Sequence, residues 1–215
     1  MSRDWARWHD GYEDPYSALS TRLAIVRAHL ADAITAAPPG PVSLVSLCAG
    51  QGHDVLGVLP GHPRRDDVTA VLVELDPRNA RLAAARAARA GLAAVEVREV
   101  DAGTTAGYAD ALPADVLLLC GIFGNVSEAD IGCTVAASPA LCAPGGTVIW
   151  TRHRRPPDLT SHMREWFAAA GFAEVAFRAP ETGSTLIGVG VHRHSDTGQA
   201  PSTVPGRLFS FTAGN

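Results

Sequence analysis

Short runs of β-branched and apolar residues alternate with longer Ala/Leu-rich stretches, and this alternation restricts the fold more than any other feature. The runs occupy residues 42–47, 68–73, 95–100, 115–119, 147–150, 173–177 and 185–191. The first five lie about 20 to 30 residues apart, the pitch of successive strand–helix–strand units in a mostly parallel sheet. Val71-Leu72-Val73 and Val116-Leu117-Leu118-Leu119 are apolar at consecutive positions, so both faces of these strands need a cover. The gaps supply it. Residues 15–36 carry Leu19, Leu23, Val26, Leu30 and Ile34 at spacings of three and four, the stripe of a helix buried on one side. Residues 77–90 are almost all Ala, Arg and Leu, with Gly91 placed to end a helix; residues 158–170 end the same way at Gly171. Ala143-Pro144-Gly145-Gly146 reads as a stop and turn before the fifth strand. Only residues 180–184 separate the last two runs, which leaves no room for a crossover helix and predicts an antiparallel hairpin.

The expected architecture is therefore α/β and Rossmann-like: a doubly wound, seven-stranded, mostly parallel sheet with a C-terminal antiparallel hairpin. A chain of 215 residues suits one structural domain. Within it, residues 1–36 read as an N-terminal helical lid or cap, 37–193 as the ligand-binding part, and 194–215 as a C-terminal loop and tail.

A glycine turn follows the first strand, in Ser46-Leu47-Cys48-Ala49-Gly50-Gln51-Gly52-His53-Asp54. Gly50 and Gly52 let the backbone turn sharply and approach a ligand, ahead of a helix start near Gly52 with unpaired N–H groups. An ordinary strand-to-helix turn has the same pattern. What singles this turn out is Glu74, at the end of the second strand and 22 residues beyond Gly52, where an acid can bond both hydroxyls of a ribose. Asp101, after the third strand, can accept from an adenine amino group or cap a local turn. A nicotinamide dinucleotide fold would require a third glycine where Val55 stands, and a second mononucleotide half.

Composition removes several chemistries. All 18 basic residues are Arg, so Schiff bases, a P-loop lysine and lysine general bases are excluded. The net charge of −4 argues against a nonspecific nucleic-acid grip, and no apolar run is long enough to span a bilayer. The first ten residues show no secretory pattern, and Cys48, Cys120, Cys133 and Cys142 form no CxxC pair. The expectation is a cytoplasmic protein with reduced thiols, no membrane or nucleic-acid partner and no assigned oligomeric state. Cys48 and Cys120 with His53 would make only an incomplete metal site at a spacing that matches no zinc pattern, so no metal is assigned.

These motifs, in this order over about residues 42–192, resemble the class I S-adenosylmethionine (SAM)-dependent methyltransferases. That family's acid-x-Gly-x-Gly-x-Gly turn is met by Ser46 through Gly52, with Ser46 for the acid and Cys48 for the first glycine. Its second motif is met by Val73-Glu74-Leu75-Asp76-Pro77, its adenine-binding pair by Asp101-Ala102, its fourth strand by Ala114 through Leu119. Leu141 through Thr147 resembles the entry to its fifth strand, and Trp166 through Phe172 its approach to the sixth. The resemblance implies SAM as cofactor, held by Ala49, Gly50, Gln51, Gly52, Glu74, Leu75, Asp101, Ala102, Cys120 and Gly121, with Asp54 partly replacing the missing acid. It implies in-line methyl transfer to oxygen or nitrogen of a small-molecule acceptor; the alternative is a catalytically silent SAM-binding regulatory or interaction module. The family's adenine-methylating Asn/Asp-Pro-Pro-Tyr/Phe signature is absent.

Acceptors in doubly wound folds bind beyond the carboxyl ends of the strands. After the fourth strand, Asn125 offers an amide to orient an acceptor or caps the next helix. After the fifth, His153 is the first candidate base, and Arg152, Arg154 and Arg155 either grip an anionic acceptor or form a solvated turn. Trp5, Trp8, His9 and Tyr12 share one face of a short helix, so His9 and Tyr12 belong either to an aromatic lid with further candidate bases or to a packed edge helix. His53 faces either the cofactor or solvent.

Overall fold

The computed structural model describes Asp14 and residues 17–182, 185–195 and 203–212; the aromatic stripe with His9 and Tyr12 lies outside the described residues. Among the described residues eight strands form: β1 (Val42–Leu47), β2 (Val68–Val73), β3 (Val95–Arg98), β4 (Ala114–Leu119), β5 (Cys142–His153), β6 (Phe172–Arg178), β7 (Glu181–Thr182) and β8 (Thr185–His194). Seven of them make the main ladder in the order β3-β2-β1-β4-β5-β8-β6, and the two-residue β7 folds back onto β8. Pairing is parallel from β3 to β5 and antiparallel where β8 enters between β5 and β6. The strand order reverses between β1 and β4, which places the ligand crevice of a doubly wound sheet at their carboxyl ends.

The consecutive apolar residues divide between two cores. Val45, Val71, Leu117 and Val148 face Ile131 and Val135 of α4 (Glu128–Leu141) and Met163 and Phe167 of α5 (Thr160–Ala169). Leu44, Ala70, Leu118 and Ile149 face the other way, onto Val26, Leu30 and Ile34 of α1 (Ala18–Ala36). Leu30 and Ile34 have no exposed surface, and full burial of such a side chain contributes about 1.5–3 kcal/mol, so α1 is an integral layer of the fold. Its N-cap is Ser17, whose hydroxyl accepts from Ser20 N–H at 3.0 Å. At the opposite end of the sheet from the crevice, Asp115 fastens β4 to β1 by accepting from the amide and hydroxyl of Ser43 at 2.8 and 2.7 Å.

β8 runs to His194, three residues beyond its sequence-based end, and three further elements differ from their outlines. The helix after the glycine turn, α2 (Val55–Val58), has four residues and gives way to two short 3₁₀ turns, because Pro60 and Pro63 lack the amide a longer helix would use. β3 ends at Arg98 instead of Val100. β5 begins at Cys142, so Pro144-Gly145-Gly146 is an irregularity inside the strand: the register against β4 shifts between Ala114 and Val116, and Gly145 has φ 75°. The helix α3 (Pro77–Arg89) starts on the Asp76 cap, with Arg78 N–H donating to Asp76 Oδ1 at 2.8 Å, and Gly91 at φ 65° ends it.

Within the C-terminal loop and tail, residues 203–212 form a strap without regular structure. Leu208 and Phe209 are buried in the core under α4. Leu208 N–H donates to Gly103 O at 2.8 Å and Thr212 N–H to Asn125 O at 3.0 Å, so the strap spans the loops that follow β3 and β4.

Candidate functional site

A cavity of about 450 Å³ opens where β1, β2, β3 and β4 end. Its floor begins with the turn after β1. Cys48, Gly50 and Gly52 have φ of 55°, 57° and 69°, so three alternate residues sit in the left-handed region and the chain folds under itself. Ala49 N–H donates to Val73 O at 2.9 Å and Gly52 N–H to Ala49 O at 2.9 Å. Two of the three are glycines, which adopt this conformation freely. Cys48 does so at a cost of roughly 1–2 kcal/mol, at the position where the resembled family carries glycine.

Glu74 closes the turn from the other side. Its Oε2 accepts from Gly50 N–H at 2.7 Å and its Oε1 from Asp76 N–H at 2.8 Å. Burial pushes its carboxyl up, and these backbone donors pull it part of the way back. The carboxylate keeps acceptor capacity beyond its backbone donors, and the residue lines the cavity. Leu75, 61% exposed, stands beside it, and Arg78 holds Asp76 at 2.8 Å, which lowers the Asp76 carboxyl. Asp101 Oδ1 accepts from Gly103 N–H at 2.8 Å, and the Tyr108 hydroxyl donates to Ala102 O at 2.8 Å, so that loop is held from below.

The far wall comes from α1 and from the turn before α2. Asp54 is buried, and its Oδ1 accepts from Val55 N–H at 2.8 Å. Burial raises its carboxyl; that bond and the Arg22 and Arg27 charges oppose the shift. Arg22, Leu23 and Val26 of α1 line the same wall. His53 also reaches the cavity, with its ring accepting from Arg86 Nη1 at 2.9 Å and its carbonyl from Arg27 Nε at 2.8 Å.

The loop after β4 is braced from behind by three consecutive residues of β5. Gly121 N–H donates to Thr151 Oγ1 at 3.0 Å, Arg152 Nη1 donates to Phe123 O, and the His153 ring lies against Gly124. Asn125 closes the loop, with Nδ2 donating to Gly121 O at 2.7 Å. Burial pushes the Cys120 thiol up to about 12, so it stays protonated.

Of the residues singled out by sequence, Ala49, Gly50, Asp54, Glu74, Leu75, Asp101, Ala102, Cys120, Gly121 and Asn125 line this one cavity. Gln51 and Gly52 do not. The Gln51 side chain donates to Asn79 at 3.3 Å, and Gly52 packs between Leu56 and Leu72. His153 does not line it either. It sits behind the β4 loop, its Nδ1 buried without a partner, and burial followed by the Arg152 and Arg155 charges holds its pKa below the ordinary value. Its neighbour Arg152 is buried under Phe123 and not part of a solvated turn, while Arg154 pairs with Asp158 at 3.0 Å. The three arginines therefore form no anion fork on the cavity. Ser46, in the acid's place, is buried within β1. Among the described residues, no three His, Cys, Asp or Glu side chains group to hold a metal, and no helix is long and apolar enough to cross a membrane.

Sequence reasoning missed Arg22, Asn79 and Phe211 on the cavity wall. Arg22 interrupts the apolar stripe of α1, a signal only once that helix is known to overlie the crevice. Phe211 belongs to the Leu208-Phe209-Ser210-Phe211 alternation in a stretch read as tail.

This sheet order, with its terminal hairpin and a glycine-turn crevice at the switch point, is the class I SAM-dependent methyltransferase fold, and solved structures agree. Magnesium protoporphyrin IX methyltransferase from Synechocystis PCC 6803, solved with bound SAH, matches with a TM-score of 0.67 at 11% identity, over 88% of this chain and 93% of that one. The 1,6-didemethyltoxoflavin-N1-methyltransferase of Burkholderia thailandensis, solved with 1,6-didemethyltoxoflavin and S-adenosylhomocysteine, matches at 0.60 and 18% over 89% and 87%. An O-methyltransferase family 2 protein from Planctomyces limnophilus, in complex with apigenin, matches at 0.59 and 18% over 82% of this chain and 59% of its own. No protein-family model and no curated protein matches the sequence.

Proposed function

We propose that the chain is a SAM-dependent methyltransferase acting on oxygen or nitrogen of a small-molecule acceptor. The observation that carries this reading is the Glu74 carboxylate, pinned by Gly50 and Asp76 amides with acceptor capacity left, in one cavity with the Asp101-Ala102 loop. The donor set fits the cofactor's parts. Glu74 would take the ribose hydroxyls, Asp101 the adenine amino group, and Leu75 and Ala102 the faces of the base. Asp54 and Arg22 would take the ammonium and carboxylate of the methionine end, the role Ser46 cannot fill from inside β1. SAM supplies a methyl group on a sulfonium, which leaves as a neutral thioether. The protein's part is to align the acceptor in line with that bond and exclude water.

An acceptor that arrives protonated needs a base. His153 stands behind the β4 loop and off the cavity, which leaves His9 and Tyr12 as the candidate bases. A small-molecule acceptor draws support from relatives solved with 1,6-didemethyltoxoflavin and with apigenin. Isothermal titration with SAM and with S-adenosylhomocysteine tests the cofactor, and absence of binding at about 1 mM, a free energy of only about −4 kcal/mol, would sink it. A screen of oxygen and nitrogen acceptors with methyl-labelled SAM then separates an enzyme from a silent binding module, which would bind and transfer nothing.

A further inference from the structure

We propose that Asn79 is a second ribose-binding residue of this cavity: its side-chain NH₂ donates to the oxygen of a ribose hydroxyl whose hydrogen Glu74 accepts. This rests on the methyltransferase reading and adds to it a residue that fixes the sugar. Asn79 stands on the first turn of α3, whose other residues are all Pro, Arg, Ala or Leu. It falls on the buried stripe with Ala80, Ala83 and Ala87, where a further alanine would pack with no amide to satisfy. The residue is 1% exposed and yet lines the cavity with Glu74, Leu75 and Pro77.

The two ends of the amide have different surroundings. Oδ1 accepts from Gln51 Nε2 at 3.3 Å, which turns the NH₂ the other way. Among the described residues Nδ2 has no partner, and the partnerless side-chain atoms sealed from solvent there are Arg152 Nε, His153 Nδ1 and His192 Nε2. Nδ2 is not one of these, so the sliver of surface that Asn79 keeps lies at its donor, on the cavity. The turn after β1 sets the donor beside Glu74. Gly50 N–H bonds Glu74 at 2.7 Å and the next residue, Gln51, bonds Asn79, so consecutive residues hold the carboxylate and the amide. A hydroxyl both donates and accepts. The Glu74 carboxylate offers acceptors and Asn79 Nδ2 offers donors, so the pair satisfies a hydroxyl in both senses, and neither can pair with the C–H of a deoxy sugar. Gln51 positions the amide from behind.

The test titrates the full chain calorimetrically with S-adenosylhomocysteine and with its 2′-deoxy and 3′-deoxy analogues. Wild type should bind at least one deoxy analogue about tenfold or more weakly than S-adenosylhomocysteine. Asn79→Ala should bind S-adenosylhomocysteine about tenfold more weakly than wild type does. It should bind the analogue that lacks the contacted hydroxyl within about twofold of wild type, so the preference shrinks. Gln51→Ala breaks the same internal bond but leaves the donor in place, and it should keep the preference. Equal binding of all three ligands to wild type overturns the proposal, whatever the variants do. So does an Asn79→Ala protein that binds S-adenosylhomocysteine like wild type, or that loses all three ligands equally. A loss of preference in Gln51→Ala as large as in Asn79→Ala also overturns it, since the pair would then only support the fold. If wild type fails to bind S-adenosylhomocysteine at all, the methyltransferase reading itself falls and this proposal with it.

Discussion

The backbone N–H of Gly50 donates a 2.7 Å hydrogen bond to Glu74 Oε2, which locks the turn after β1 to the end of β2 across 24 residues of chain. The other oxygen is taken by Asp76 N–H at 2.8 Å. One carboxylate therefore shapes the crevice and presents acceptors to it. Glu74→Gln places an amide NH₂ against one of two backbone donors. It should destabilise the chain by about 1–3 kcal/mol in urea unfolding and weaken S-adenosylhomocysteine binding by roughly tenfold or more. Unchanged affinity would remove Glu74 from the ribose site.

Asp54 should show the opposite balance between stability and binding. Burial raises its carboxyl in the folded chain, so the ionised form opposes folding at neutral pH, and lowering the pH through its folded pKa relieves that cost. Asp54→Asn keeps an oxygen for Val55 N–H and removes the charge. Its Tm without ligand should be equal or higher at pH 7, while S-adenosylhomocysteine binds roughly tenfold more weakly. Calorimetry on one protein sample measures both, and a variant that binds as well as wild type clears Asp54 of the ammonium.

Arg152 braces the β4 loop through Phe123 O, so Arg152→Met leaves that buried carbonyl without its charged donor. Amide hydrogen exchange in residues 121–125 should quicken, while α3, on the other face of the sheet, keeps its protection. A cost of about 1–3 kcal/mol is expected. Uniform protection across both segments would show that the loop holds itself.

His192 should make the fold acid-sensitive. It is fully buried, it accepts from Trp150 Nε1 at 3.2 Å, and it stacks on Phe167 at 4.7 Å. Burial pushes its pKa down to about 4 from 6.5, against the pull of Glu174. A histidine depressed in the folded state contributes stability in full above its unfolded value, and that contribution is lost as pH falls from 6.5 toward 4. The loss amounts to about 3 kcal/mol. Urea unfolding of wild type and His192→Phe at pH 7.5, 5.5 and 4.5 checks this. The variant should lose less stability over that range, and parallel curves would contradict it.

The strands and the acids that follow them were legible in the sequence because they rest on local rules. Consecutive apolar residues name a strand covered on both faces, and a glycine pair names a turn. Glu74 and Asp101 need only stand at strand ends to reach the same edge of a parallel sheet. His153 satisfied the same rule and still missed the cavity, because the loop after β4 packs over the end of β5 and puts Gly124 between them. The helix expected to start near Gly52 stops after four residues because Pro60 and Pro63 cannot donate the amides that would extend it, a local effect.

By itself, the sequence determined the layer order, the glycine turn and the placement of Glu74, Leu75, Asp101 and Gly121 at one end of the sheet. Short-range spacing and backbone propensity encode all of these. Only the tertiary structure decided that Arg22 overlies the crevice, that Arg152 is buried as a brace, and that residues 203–212 return to set Phe211 beside Asn125. Each of these contacts joins segments far apart in the chain, through docking surfaces that no local period records. They form because Leu30, Ile34, Leu208 and Phe209 lose their exposed surface when the layers close, and the polar neighbours are carried into place with them.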